Sequence, residues 1–128
     1  MNWQEISLVA AGLIGSGVAV IHGKLTQQLL IRPLMKSLLA DERPIFRKLV
    51  PSLLHFTTFN WFLSGLALIA SALWFEGDVR LAISLLVGSS YLYGAFVALR
   101  ASRGRHPGGI LYAVALGLIV FGISEFGY

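Results

Sequence analysis

Residues 81–99, LAISLLVGSSYLYGAFVAL, decide the fold class: the run carries no charge and is closed at its two ends by Arg80 and Arg100. At about 1.5 Å per residue, one helix of this length crosses the roughly 30 Å hydrocarbon core of a bilayer. Working outward, three more stretches have the same character. Residues 6–21 are uncharged but short, and Leu25, Leu29, Leu30 and Ile31 extend them. Residues 49–75 hold no ionisable group except His55, and residues 108–124 are uncharged as far as Glu125. The runs are continuous, whereas barrel strands alternate over about ten residues. We therefore expect an all-α membrane protein, one domain over residues 1–128, with a four-transmembrane-helix bundle spanning about 6–24, 49–75, 81–99 and 108–125.

Composition agrees. Apolar residues make up 56% of the 128 and charged residues 12%, against about 45–50% and about 25% in soluble domains. Mean hydropathy is +0.76. A soluble domain this small needs more polar side chains to cover its surface. Cysteine is absent, which removes disulfides, thiolate metal sites and cysteine nucleophiles. Met1 to Glu5 contain no Lys or Arg, so the first apolar run reads as a span and not as a cleavable signal.

The cationic residues orient the chain. Lys24, Arg32, Lys36, Arg43, Arg47 and Lys48 fall between spans one and two, and Arg100, Arg103 and Arg105 between spans three and four. Only Arg80 lies on the other side, with Glu5, Glu76, Asp78 and Glu125. Positive loops stay in the cytoplasm, so we expect an inner-membrane protein with both termini outside and Trp3, Trp74 and Tyr128 at the outer interface. The basic isoelectric point, about 9.9, is accounted for by this topology and by anionic lipid, without nucleic acid. The same one-sidedness argues against dual-topology exporters.

The first connection reads as an amphipathic interfacial segment. Leu29, Leu30, Leu34, Leu38 and Leu39 alternate there with Gln27, Gln28, Arg32, Lys36 and Ser37. Pro33 disfavours helix at Arg32 and predicts a bend. Asp41 suits a helix cap, Pro44 a first turn, and Pro51 a kink inside span two. Small residues at four-residue spacing predict tight contacts: Gly12 and Ser16; Asn60, Ser64, Ala67 and Ser71; Ser90, Gly94 and Ala98; Ala113 and Gly117. They suit a bundle or a homodimer seam.

Polar groups at membrane depth are costly and mark candidate sites. His22, His55 and His106, with Tyr91, Tyr93 and Tyr112, all fall toward the cytoplasmic side, and His55 shares a helix face with Thr58. Three readings of this cluster stand open. The imidazoles lock the bundle by hydrogen bonds; or they line a small-ligand or lipid-headgroup pocket in which Arg32, Arg100 or Arg105 meets an anion; or His22 and His55 ligate a metal or haem. The ligand-site candidates are His22, Arg32, His55, Thr58, Tyr93, Arg105 and His106. No phosphate loop, nucleophile elbow or paired carboxylate is present, so no catalytic residue is assigned.

Three blocks resemble a family of small bacterial four-span integral membrane proteins without an assigned activity. They are His22 followed by Leu30-Ile31-Arg32-Pro33-Leu34; His55-Phe56-Thr57-Thr58 with Trp61; and Ser102-Arg103-Gly104-Arg105-His106. The chain departs from that pattern at Thr26 and Gln27, where the family carries Gly-Glu, and at Leu54, where it carries Trp. The resemblance implies the fold and marks residues, but supplies no reaction. The expectation is thus a non-enzymatic protein of the lipid bilayer, a binding or accessory module with a histidine-lined cytoplasmic pocket and no resident cofactor. A haem or metal redox protein, a small oligomeric transporter or channel, and a lipid or quinone enzyme are the rivals, with a homo-oligomer or membrane partner compatible with each.

Overall fold

The structure, a computed structural model, describes residues 1–124. Five helices and one wide turn make up almost all of it: α1 (Trp3–Leu25), a π-helical turn (Thr26–Ile31), α2 (Arg32–Lys36), α3 (Pro44–Trp74), α4 (Gly77–Ala101) and α5 (Pro107–Ile123). No strand occurs among the described residues. Three helical stretches are long and apolar enough to cross a membrane: Trp3–Lys36, Pro44–Trp74 and Gly77–Ala101. The fourth, Pro107–Ile123, is apolar but shorter. Glu125 and Tyr128, expected near the outer end of span four, lie outside the described residues.

Consecutive long helices run antiparallel. On α1 and α3, His22 meets Thr58 and Ser16 meets Phe62; on α4 and α5, Gly94 meets Tyr112 and Leu99 meets Gly109. Around the bundle the order is α3, α1, α5, α4, with α1 packed on both α3 and α5 and the return from α4 to α3 the loosest contact. The core holds Leu8, Ala11, Val18, Leu68, Ala72, Val87, Tyr91, Ala95, Tyr112, Ala115 and Ile119.

The first connection lacks the expected bend. Arg32 has φ −59° and ψ −49°, ordinary right-handed helix, so no bend forms before Pro33. The chain instead widens one turn: the Arg32 amide donates to the carbonyl of Gln27, five residues back. A wider turn moves the preceding carbonyls off the track that a proline ring would strike. Helix thus continues to Lys36, and only residues 37–43 are irregular. Asp41 does not cap α3; Arg43 stands at the cap position with no side-chain hydrogen bond, and Pro44 opens the first turn as expected. α3 runs through Pro51 as one helix.

The packed small residues are partly those expected. Gly12, Ser16, Gly94 and Ser71 are buried, but Ala113 and Gly117 face outward, and nothing lies within 4 Å of a Cβ placed on Gly117. The buried face of α5 is Gly109, Tyr112, Ala115, Ile119 and Gly122.

The hairpin joining α4 to α5 closes on a Schellman pair, in which the amide of Gly104 donates to Leu99 O at 2.7 Å and that of Arg103 to Arg100 O at 3.5 Å. Arg103 occupies the left-handed position with φ 54°. A side chain there costs about 1 kcal/mol relative to glycine. Arg103→Gly is expected to raise the unfolding free energy by up to that amount, measured by thermal unfolding in detergent micelles; a lowered midpoint would refute the strain.

Candidate functional site at the basic end

The histidines sit at the end of the bundle where α1 leaves and α3 enters. On α1, Ser16 and His22 turn toward α3, where they meet Phe62 and Thr58. His22 Nδ1 and Thr58 Oγ1 are hydrogen-bonded at 3.1 Å. Gly23 permits this approach, since a Cβ there would meet the Thr58 methyl at 2.6 Å.

From His22 a ladder of rings crosses the whole bundle. His22 stands edge-on to Trp61 of α3, centroids 5.0 Å apart and planes at 68°. Trp61 meets Tyr112 of α5 at 5.1 Å and 67°. Tyr112 meets Tyr91 of α4 at 4.8 Å and 32°. The Tyr91 hydroxyl then reaches α1 at Gly15, where a Cβ would overlap it. The four long helices are therefore joined in a circuit that begins and ends on α1, and each aromatic pair adds about 0.5–1.5 kcal/mol beyond area burial. The hydroxyls of Tyr91 and Tyr112 and Ser84 Oγ are buried without a hydrogen-bond partner among the described residues.

Nearer the end of the bundle, the His55 Nε2 proton is donated to Gln27 Oε1 at 2.8 Å. Gln27 belongs to the π-helical turn, so the irregular turn carries the group that engages the second histidine. His106 does a different job. Its Nδ1 accepts the Gly109 amide at 3.2 Å and caps α5, while its own amide donates to Ser102 Oγ at 2.9 Å.

Of the expected site residues, His22 and Thr58 are joined directly, and His55 is joined to Gln27 rather than to either of them. Arg32 and Arg105 are exposed and form no ion pair among the described residues. Tyr93 is 72% exposed and belongs to the outer surface of α4, beside Ser89, Leu92 and Phe96; the tyrosines inside are Tyr91 and Tyr112. Two shallow grooves lie on the helix surfaces, and no histidine lines either. No group of three or more His, Cys, Asp or Glu suited to a metal occurs among the described residues.

Thr58 and His22 form a hydroxyl–imidazole pair, the minimal shape of an activated nucleophile. No third group is hydrogen-bonded to the imidazole among the described residues. The geometry is that of a bridge between helices. Sequence reading missed Gln27 and Trp61 as partners of the histidines, although the spacing His55-Phe56-Thr57-Thr58 and Trp61 held the clue: residues 58 and 61 are one turn apart on one face.

At the far end sits a second polar cluster. Arg80, 6% exposed, donates from Nε to Phe75 O at 2.7 Å and to Ser71 O at 3.3 Å, and from one terminal nitrogen to Ala72 O at 3.1 Å and Glu5 Oε1 at 3.2 Å. The other Glu5 oxygen accepts the Asn2 amide at 3.0 Å, in a reciprocal cap of α1. One guanidinium thus satisfies the last carbonyls of α3 and ties α1 to the α3–α4 hairpin.

No protein-family model, curated protein or solved structure matches the chain.

Proposed function

We propose that this chain is a multi-pass inner-membrane protein with its basic end in the cytoplasm, and that it is a binding or accessory module rather than an enzyme. Its ligand is an anionic headgroup, of a lipid or a small amphiphile, held at the basic end. The observation that carries the reading is the state of the cations there: Arg32, Lys36, Arg43, Arg47, Lys48, Arg100, Arg103 and Arg105 are all exposed, and none is in an ion pair among the described residues. Large apolar side chains stand exposed among them, including Leu29, Leu38, Ile45, Phe46 and Leu49. Such a surface matches the inner boundary of a bilayer, where acyl chains take the apolar groups and phosphates take the cations. The two imidazole bridges support this role by fixing α1 against α3, so that the cations of both helices are presented together.

The test is lipid retention. Protein extracted from mixed vesicles of phosphatidylglycerol and phosphatidylcholine is expected to keep the anionic lipid preferentially, as read by native mass spectrometry. Each basic residue at an anionic surface contributes about 1 kcal/mol, so Arg32→Gln and Arg105→Gln are each expected to reduce the preference by up to about fivefold. Equal retention of both lipids by the unaltered protein would refute the reading.

A further inference from the structure

We propose that the groove between α3 and α4 seats the same face of a second copy of this chain, with the two Asn60 carboxamides hydrogen-bonded to each other. The groove is lined by Asn60, Leu63, Ser64 and Ala67 of α3 and by Ile83, Leu86 and Val87 of α4. It opens where the bundle is loosest. In the most apolar stretch of each long helix, 22% of residues are buried for α3, against 50% for the helix beginning at Trp3 and 33% for α4. α3 therefore has the most face left to cover.

Asn60 is the one group in the groove that a lipid chain cannot satisfy. Its side chain is exposed and has no hydrogen-bond partner among the described residues. Ser64 does not serve it, because the Ser64 hydroxyl donates to the backbone carbonyl of Asn60 at 2.8 Å. Its depth follows from its neighbours: Thr58 is level with His22, and Phe62 is level with Ser16, well inside the first apolar run. On the membrane reading proposed above, on which this inference rests, Asn60 lies within the hydrocarbon, toward its basic side. A carboxamide with two donors and an acceptor unmet in hydrocarbon costs several kcal/mol.

A second copy removes that cost because the complementarity is built in. The basic residues are concentrated at one end, so every copy inserts in the same sense. α3 then runs parallel to its twin, and residue 60 lies level with residue 60 across a two-fold axis along the membrane normal. The positive NH2 edge of each amide meets the negative oxygen of the other, an isologous contact in which one residue type supplies both halves. Ser64 and Ala67, one and two turns further along, are small enough to let the helix axes approach. The stripe Asn60, Ser64, Ala67, Ser71 is thereby divided in its use. Ser71 is buried within the bundle and donates to Leu68 O, while the other three border the groove.

The chain has no cysteine, so single thiols can be introduced cleanly. Oxidative cross-linking in vesicles is expected to give dimers with Ser64→Cys and Ala67→Cys, and none with Gly117→Cys on the exposed face of α5. Fluorescence transfer between labelled copies, diluted with lipid, then measures the affinity. Polar contacts of this kind contribute about 0.6–2 kcal/mol between helices, so Asn60→Leu is expected to weaken association about 3- to 30-fold, with Asn60→Gln retaining most of it. Equal cross-linking at residues 64 and 117, an Asn60→Leu protein that associates as tightly as the unaltered one, or a cross-link to a protein of different mass would each overturn the proposal. Resistance to alkaline extraction is measured on the same vesicles. A chain that is extracted fails the membrane reading itself, whereas one that stays embedded but monomeric fails only this inference.

Discussion

Arg80→Ala is expected to lower the unfolding free energy by about 3 kcal/mol, among the largest effects available from one side chain in this protein. Breaking a buried ion pair by deleting one partner costs about 3–5 kcal/mol, because the surviving charge is left without compensation. Here the lower end applies, since the side chain of Glu5 is 21% exposed while that of Arg80 is 8% exposed. The carboxylate is only part of the loss. Ser71 O, Ala72 O and Phe75 O all receive the guanidinium; Ser71 O also accepts the Phe75 amide, whereas the carbonyls beyond it at the helix end have no intrahelical partner of their own. Two controls separate the contributions. Glu5→Gln keeps the carbonyl contacts and the reciprocal cap with Asn2, and is expected to cost clearly less than Arg80→Ala. Arg80→Lys places one compact ammonium where a planar fork reached two sides, and is expected to fall between the two. Unfolding in detergent micelles provides the measurement, and an Arg80→Ala midpoint equal to that of the unaltered protein would show the cluster to be ornamental.

Arg80 also illustrates how far the sequence reaches. Read along the chain, it is the lone cation of the far side, placed where a solvated charge belongs. Nothing in its neighbours announces that α4 turns it back over the end of α3. The helices themselves were legible because long uncharged apolar runs closed by charges leave little choice but helix. Their faces were less so. α5 is apolar all round, with no polar side to fix its rotation, so Ala113 and Gly117 were as plausible a packing stripe as Gly109, Ala115 and Gly122, which are the buried set. The choice between Tyr91 and Tyr93 fails for the same reason. Residues two apart lie on nearly opposite sides of a helix, and α4 gives no amphipathic signal to choose between them. The continuation of helix past Pro33 was hidden because a π-helical turn is set by hydrogen bonding five residues back and leaves no compositional mark. The gathering of histidines at one end was visible from topology, whereas their pairing with Thr58 and Gln27 needed the rotation of α1 against α3.

That rotation is fixed by two glycines, and the second large effect falls on them. Gly12 and Gly65 face each other across α1 and α3 so closely that a Cβ on either would meet the backbone carbonyl oxygen of the other at 2.6 Å. A flexible side chain can move aside, but a helix backbone cannot. A methyl group at either position therefore separates the two helices along their length. It would strain the bond from Ser16 Oγ to Phe62 O, 3.2 Å in the structure, and then the His22–Thr58 bridge further along the same seam. Gly65→Ala is expected to cost about 2–3 kcal/mol, at the upper part of the range for overpacking, and Gly12→Ala a similar amount. The double variant should cost less than the sum, because the first methyl already opens the gap that the second would enter. Gly17 and Gly117 supply the contrast. Both are exposed, with nothing within 4 Å of an added Cβ. Alanine there gains helix propensity, and each change is expected to be neutral or stabilising by up to about 1 kcal/mol. The four single variants and the double, unfolded side by side in micelles, set close backbone approach against intrinsic propensity. Gly65→Ala matching Gly17→Ala in stability would mean that α1 and α3 are held apart from each other by something other than the absence of these two side chains' carbons, and the seam assigned here would be wrong.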